Sequence, residues 1–173
     1  DFGSGWLGDM GTHLMLPVWL GMGLGKTVPL SARADVFDCG WSDEMKRQYL
    51  PLYSHVTLKF PGVKASDMKP FEVEWCDGPR DGSLPKDFLP EGKTDEIAGN
   101  QISLSVPDIY LPPKEFEVLG KESALGELPI QGRVVKGSDG WLISTHFNKP
   151  PVLLDAKGKR RPLDLPFLEP VGS

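Results

Sequence analysis

The sequence predicts an α+β domain, with an N-terminal helix followed by an open, largely antiparallel sheet. Apolar residues recur every three or four positions over 9–22, the spacing of a helix face turned to a core. After Thr27 the pattern switches to period two and does not switch back, so strands follow one another without crossover helices. The 20 glycines and 17 prolines exceed ordinary usage and imply frequent turns and long loops.

The helix is expected over 9–22, DMGTHLMLPVWLGM, with Met10, Leu14, Val18 and Met22 on one face and Leu7 just before. Asp9 is its expected N-cap, and Gly23-Leu24-Gly25 its stop. Pro17 has no N–H for the carbonyl of His13, so a kink is expected there. TVPLSARADVF (27–37) alternates as a strand, which Pro29 restricts to an edge or a strand start. SDEMKRQYLP (42–51) reads as a polar loop. SHVTLKF (54–60) and FEVEWCD (71–77) alternate as neighbouring antiparallel strands joined by the turn-rich 61–70. Residues 78–100 form a long loop rich in Pro and Gly, and QISLSV (101–106) a short strand. GRVVKGSDGWLIST (132–145) reads as a hairpin turning at Gly137-Ser138-Asp139-Gly140, and 151–165 adds a last strand and turn.

With 173 residues the chain has the length of about one domain, taken as a single unit over 1–173. The net charge is −5 and the pI about 5.2, with one short basic cluster at Lys157–Arg161, which argues against a nucleic-acid partner. Cys39 and Cys76 form no C-x-x-C pair, so they read as free thiols. No apolar run is long enough for a membrane helix, and no membrane partner is expected. The chain opens in mid-motif at Asp1-Phe2-Gly3-Ser4-Gly5 and reads as a piece of something longer. Its compartment is left open between the cytoplasm and a bacterial periplasm.

Gly21-Met22-Gly23-Leu24-Gly25-Lys26-Thr27 ends like the phosphate loop G-x-x-x-x-G-K-[ST], but Leu20 stands where its first glycine belongs. A phosphate loop follows a strand and opens a helix, whose N-terminus attracts the anion. Here the order is reversed, and the glycines read as the turn from helix into sheet.

The chemistry lies further up the same helix. Asp9 and His13 are four apart and share a face. A carboxylate beside an imidazole suits a proton carrier near neutral pH. Glycines at 3, 5, 8 and 11 leave the approach open. The same spacing also fits a capping Asp with a satisfied structural His. No metal is expected, because neither His55 nor His146 supplies a third ligand at a defined spacing.

Around these residues the segment DFGSGWLGDMGTHLMLPVWLGMGLG resembles the start of the C-terminal domain of the Gfo/Idh/MocA oxidoreductases, among them glucose–fructose oxidoreductase and inositol dehydrogenase. The resemblance is carried by a glycine-rich approach, a D-x-x-x-H motif (Asp9 to His13) and a helix ending in Trp19-Leu20-Gly21-Met22-Gly23-Leu24-Gly25. YSHVTLKFPG, EWCDGPRDG and VVKGSDGWLIS look like later strands of a bacterial branch. The resemblance implies a C-terminal substrate domain that also makes homo-oligomer contacts through its sheet face. It further implies an N-terminal Rossmann domain holding NAD or NADP. His13 would carry the substrate hydroxyl proton, and Asp9 would orient it. The substrate class implied is a sugar, polyol or related hydroxy compound, either oxidised outright or cleaved at a glycosidic bond through transient oxidation. Many relatives carry Asp three residues after this His, where this chain has Leu16. The E-K-P lysine of the family belongs to the N-terminal domain and has no counterpart here. Gly3-Ser4-Gly5-Trp6-Leu7-Gly8 mimics a dinucleotide fingerprint but follows no strand.

Trp6 beside the motif could wall a sugar site, and Thr12 lies next to His13. Asp77 and Arg80 open the long loop within reach of a ligand. Trp19 and Trp75 read as core, and His55 as a surface or cross-strand residue. The competing expectation is a non-catalytic binding or oligomerisation module in which Asp9 and His13 are only structural.

Overall fold

The computed structural model describes residues 5–37, 42–48, 50–78, 83–85, 97–98, 101–103, 131–145 and 151–164. The chain divides into two units, Asp1–Pro113 and Lys114–Ser173. The mixture of one long N-terminal helix with antiparallel strands is an α+β fold, and every strand pair among the described residues is antiparallel. Among the described residues the strands fall into three separate sheets rather than one.

In the first unit, α1 runs Gly5–Gly21 and continues through Pro17. It starts a turn earlier than expected, so Asp9 lies inside the helix and does not cap it. Leu14 and Gly11 are buried, and Leu7, Met10, Val18 and Met22 are half-buried on the anticipated face. The helix stops where the glycines predict. The Met22 N–H donates to the Val18 carbonyl at 2.9 Å and that of Gly23 to Leu20 at 3.1 Å, while Gly23 turns left-handed at φ 69°. Glycine enters that region without the Cβ clash other residues meet. One 3-10 turn, Leu24–Lys26, then buries Leu24 completely.

β1 (Ser31–Phe37) begins four residues later than the alternation suggests, after Pro29. Where a loop was expected, Asp43–Gln48 form a short helix, α2. Ser42 caps it: its Oγ accepts the Met45 N–H at 3.3 Å and its carbonyl accepts the Lys46 N–H at 3.0 Å. Acidic Asp43 and Glu44 open this helix and basic Lys46 and Arg47 close it, as the helix dipole favours. β2 (Tyr53–Phe60) and β3 (Phe71–Asp77) follow, and the sheet order is β1-β2-β3.

The register sorts this sheet into two faces. Ala32, Leu58 and Val73 lie in one cross-strand row, and Ala34, Val56 and Trp75 in the next. The opposite face carries Arg33, Thr57 and Glu74, then Asp35, His55 and Cys76. Trp19 of α1 meets Phe60 edge-on at 5.5 Å, and Phe60 stacks on Phe71 at 5.5 Å. Each such aromatic pair adds about 0.5–1.5 kcal/mol beyond its area burial. Three short strands, β4 (Ser83–Pro85), β5 (Ile97–Ala98) and β6 (Gln101–Ser103), form a separate sheet in the order β4-β6-β5.

The second unit is a meander of β7 (Gly132–Lys136), β8 (Gly140–Thr145), β9 (Val152–Asp155) and β10 (Arg160–Arg161). The hairpin has its expected bounds, and the Gly137 N–H donates to the Gly140 carbonyl at 2.8 Å across the turn. Val134, Ile143 and Val152 line up in one row and Lys136, Trp141 and Leu154 in the next. Ile143, Val152 and Leu154 form the buried cluster of this unit, with Val134 and Trp141 packed against it. The Lys136 ammonium sits 4.7 Å from the Trp141 ring centre, a cation–π contact.

Candidate functional site

α1 carries four of the six candidate residues. Trp6, Asp9, Thr12 and His13 all reach solvent, while Gly11 and Leu14 are buried. Trp6 keeps 45% of its surface exposed. Asp9 and His13 stand one helical turn apart on a continuous helix, so the carboxylate and imidazole share a solvent-facing side. The exposed Gly8 thins the side-chain cover next to Asp9, whereas Gly11 is buried.

Asp77, the last residue of β3, has both carboxylate oxygens engaged within the sheet. Its Oδ1 accepts the Ser54 backbone N–H at 2.9 Å and its Oδ2 accepts the Trp75 indole N–H at 2.7 Å. The carboxylate thus locks the end of β3 to β2 and holds the Trp75 ring. Gly78 follows at φ 125°, and a Cβ there would overlap the ring of Tyr53. This passage of backbone past a buried aromatic therefore requires glycine. Arg80, like Trp41 and His146, lies outside the described residues.

A row that sequence reading did not assemble crosses the sheet at Asp35, His55 and Cys76. The His55 side chain is only 14% exposed, and its Nε2 lies 3.6 Å from Glu74 Oε2. Both of its ring nitrogens are buried without a hydrogen bond. Only the strand register reveals this row, because the three residues are far apart in sequence. The row is not poised for nucleophilic chemistry. Although Cys76 is exposed, neighbouring protein atoms partly desolvate its thiolate, and Glu74 and Asp77 repel it, so the thiol is pushed up to about 11. A thiol with that value is protonated near neutral pH and a poor nucleophile.

Among the described residues no three His, Cys, Asp or Glu side chains converge in a way that could hold a metal ion. The glycine turn at 21–25 follows a helix and leads to a strand. It therefore sits at the C-terminal, partially negative end of α1, the wrong end for a phosphate. Gly5 and Gly8 lie within α1 itself and not in a turn between strand and helix. The described residues therefore do not fit a dinucleotide cradle. No described helix is long and apolar enough to cross a membrane. Set against family models, curated proteins and solved structures, the chain matches none.

Proposed function

We propose that the chain is the substrate-binding part of an NAD(P)-dependent oxidoreductase acting on a sugar, polyol or related hydroxy compound. The observation that carries this reading is the placement of Asp9 and His13 one turn apart on the exposed side of α1, with the exposed Gly8 next to Asp9. The share of the reaction assigned to this chain is proton transfer. His13 takes the proton of the substrate hydroxyl as the carbinol carbon becomes a carbonyl, and Asp9 favours the charged imidazolium that results. Trp6, exposed one turn before Asp9, offers a flat apolar face to the C–H surface of a sugar ring. Thr12 adds a hydroxyl beside His13. A nicotinamide coenzyme would supply the hydride acceptor for this step. Because the described residues do not fit it, the reading assigns its binding to a separate nucleotide-binding domain.

The test is His13→Ala in a protein that carries both this chain and such a domain. Turnover, followed by nicotinamide absorbance with a panel of polyols and sugars, is expected to be lost while coenzyme affinity is kept. Retained turnover would remove His13 from the reaction.

A second reading, a non-catalytic binding or oligomerisation module, is favoured by a different observation. Leu16, Leu20, Val28, Leu30 and Val36 are all exposed in the first unit, with Leu20 at 72%. Single exposed apolar residues are ordinary, but a concentration in one segment marks a contact surface.

A further inference from the structure

β1 lies at one end of its sheet and has a single neighbouring strand, β2, among the described residues. Its seven residues contain no proline, and Ser31 through Ala34 are exposed, with Val36 at 56%. A strand edge of this kind presents a row of backbone N–H and C=O groups able to pair with another strand. Arg33 and Asp35 are the charges on this edge. They lie on one face, where they pair with each other at 2.9 Å, while Ala32, Ala34 and Val36 lie on the other.

We infer that β1 pairs antiparallel with β1 of a second copy of this chain, about a twofold axis through Ala34, joining two three-stranded sheets into one. This deepens the oligomerisation reading and rests on it. The support is charge complementarity within the sequence Ser31-Ala32-Arg33-Ala34-Asp35-Val36-Phe37. With the axis at Ala34, Arg33 stands opposite the second copy's Asp35, twice over, and Ala32 stands opposite Val36. Moving the axis to residue 33 sets Arg33 against Arg33, and moving it to residue 35 sets Asp35 against Asp35. Directly opposed like charges destabilise a strand pair. Placing the axis between residues slips the register by one and mixes the apolar face with the polar one. The two charges thus disfavour the neighbouring registers and favour this one. Arg33 already spans two residues to reach Asp35 within its own strand. A carboxylate directly across a strand pair is no farther away. Pairing would also set the exposed rows of Ala32, Ala34 and Val36 from both copies side by side.

The test measures the mass of the full chain in solution by sedimentation velocity over a concentration series. A dimer is expected. Arg33→Glu and Asp35→Lys, each alone, are expected to weaken it roughly tenfold or more, because each sets two like-charge pairs across the axis. Mixing the two single variants is expected to restore the dimer. In the mixed pair every Glu or Asp again faces a Lys or Arg, although the pair within each chain stays broken. Recovery on mixing therefore cannot come from repaired folding. Ala34→Cys is expected to form an inter-chain disulfide on oxidation, and Met68→Cys, exposed elsewhere in the same unit, is not. A dimer indifferent to both charge variants would overturn the edge pairing and leave the oligomerisation reading in place. A chain that stays monomeric at the highest attainable concentration would overturn both.

Discussion

The two larger sheets handle their apolar residues in opposite ways. In the second unit, alternate residues of β8 and β9 close over a small cluster of Ile143, Val152 and Leu154, and the β7–β8 and β9–β10 turns are tied by local hydrogen bonds. In the first unit, the core is an aromatic stack beneath one helix, and β1 is left largely uncovered. Among the described residues, the large hydrophobic side chains that are exposed, from Trp6 to Met68, all belong to the first unit. A sheet can bury its apolar face with its own turns and neighbours, or leave it for something else to cover. The first unit follows the second course, and both functional readings place their contacts there.

Removing one side chain from the closed cluster should have the largest effect. Leu154→Ala deletes a fully buried residue, and a loss of about 2–5 kcal/mol is expected from such truncations. Chemical denaturation of the chain checks it, and a change below 1 kcal/mol would show that the cluster is not a working core. Next comes the link in the first unit. Asp77→Ala strips the acceptor from both the Ser54 N–H and the Trp75 indole. About 1–3 kcal/mol should be lost, with a shift of Trp75 fluorescence as the readout. If stability holds while ligand affinity falls, Asp77 belongs to a binding site instead.

A smaller, pH-dependent effect is expected at Asp155. The Lys159 backbone N–H, seconded by that of Lys157 and by both lysine charges, holds its carboxyl below the usual carboxylate range. A depressed folded-state value contributes stability above the unfolded value and loses it as pH falls through the folded one. Melting of the native chain should therefore drop on acidification, and Asp155→Asn should flatten part of that slope. The smallest effect belongs to the open surface. Leu20→Gln should change stability by no more than about 0.5 kcal/mol, since Leu20 is exposed. A large loss there would show that the helix face is covered after all.

The regular parts of this fold could be read from the sequence because their patterns are local. FEVEWCD marks β3 to the residue, and the Gly137–Gly140 turn marks the hairpin. α2 escaped because a six-residue helix with Met45 as its one apolar side chain has no hydrophobic stripe. Only its Ser42 cap and its charge order announce it. The start of α1 was displaced because Asp9 has the chemistry of a cap but not its position. For the candidate site, the shared face of Asp9 and His13 follows from helical spacing alone. The internal duties of Asp77 and the row through His55 depend on strand register, which no local pattern encodes.

In both larger sheets, strands that are neighbours in space are also consecutive along the chain. Pairing β1 to β2 to β3, or β7 through β10, closes only short loops, so little chain entropy is lost before contacts form. Each meander can zip up as it leaves the ribosome, without waiting for distant segments to be synthesised.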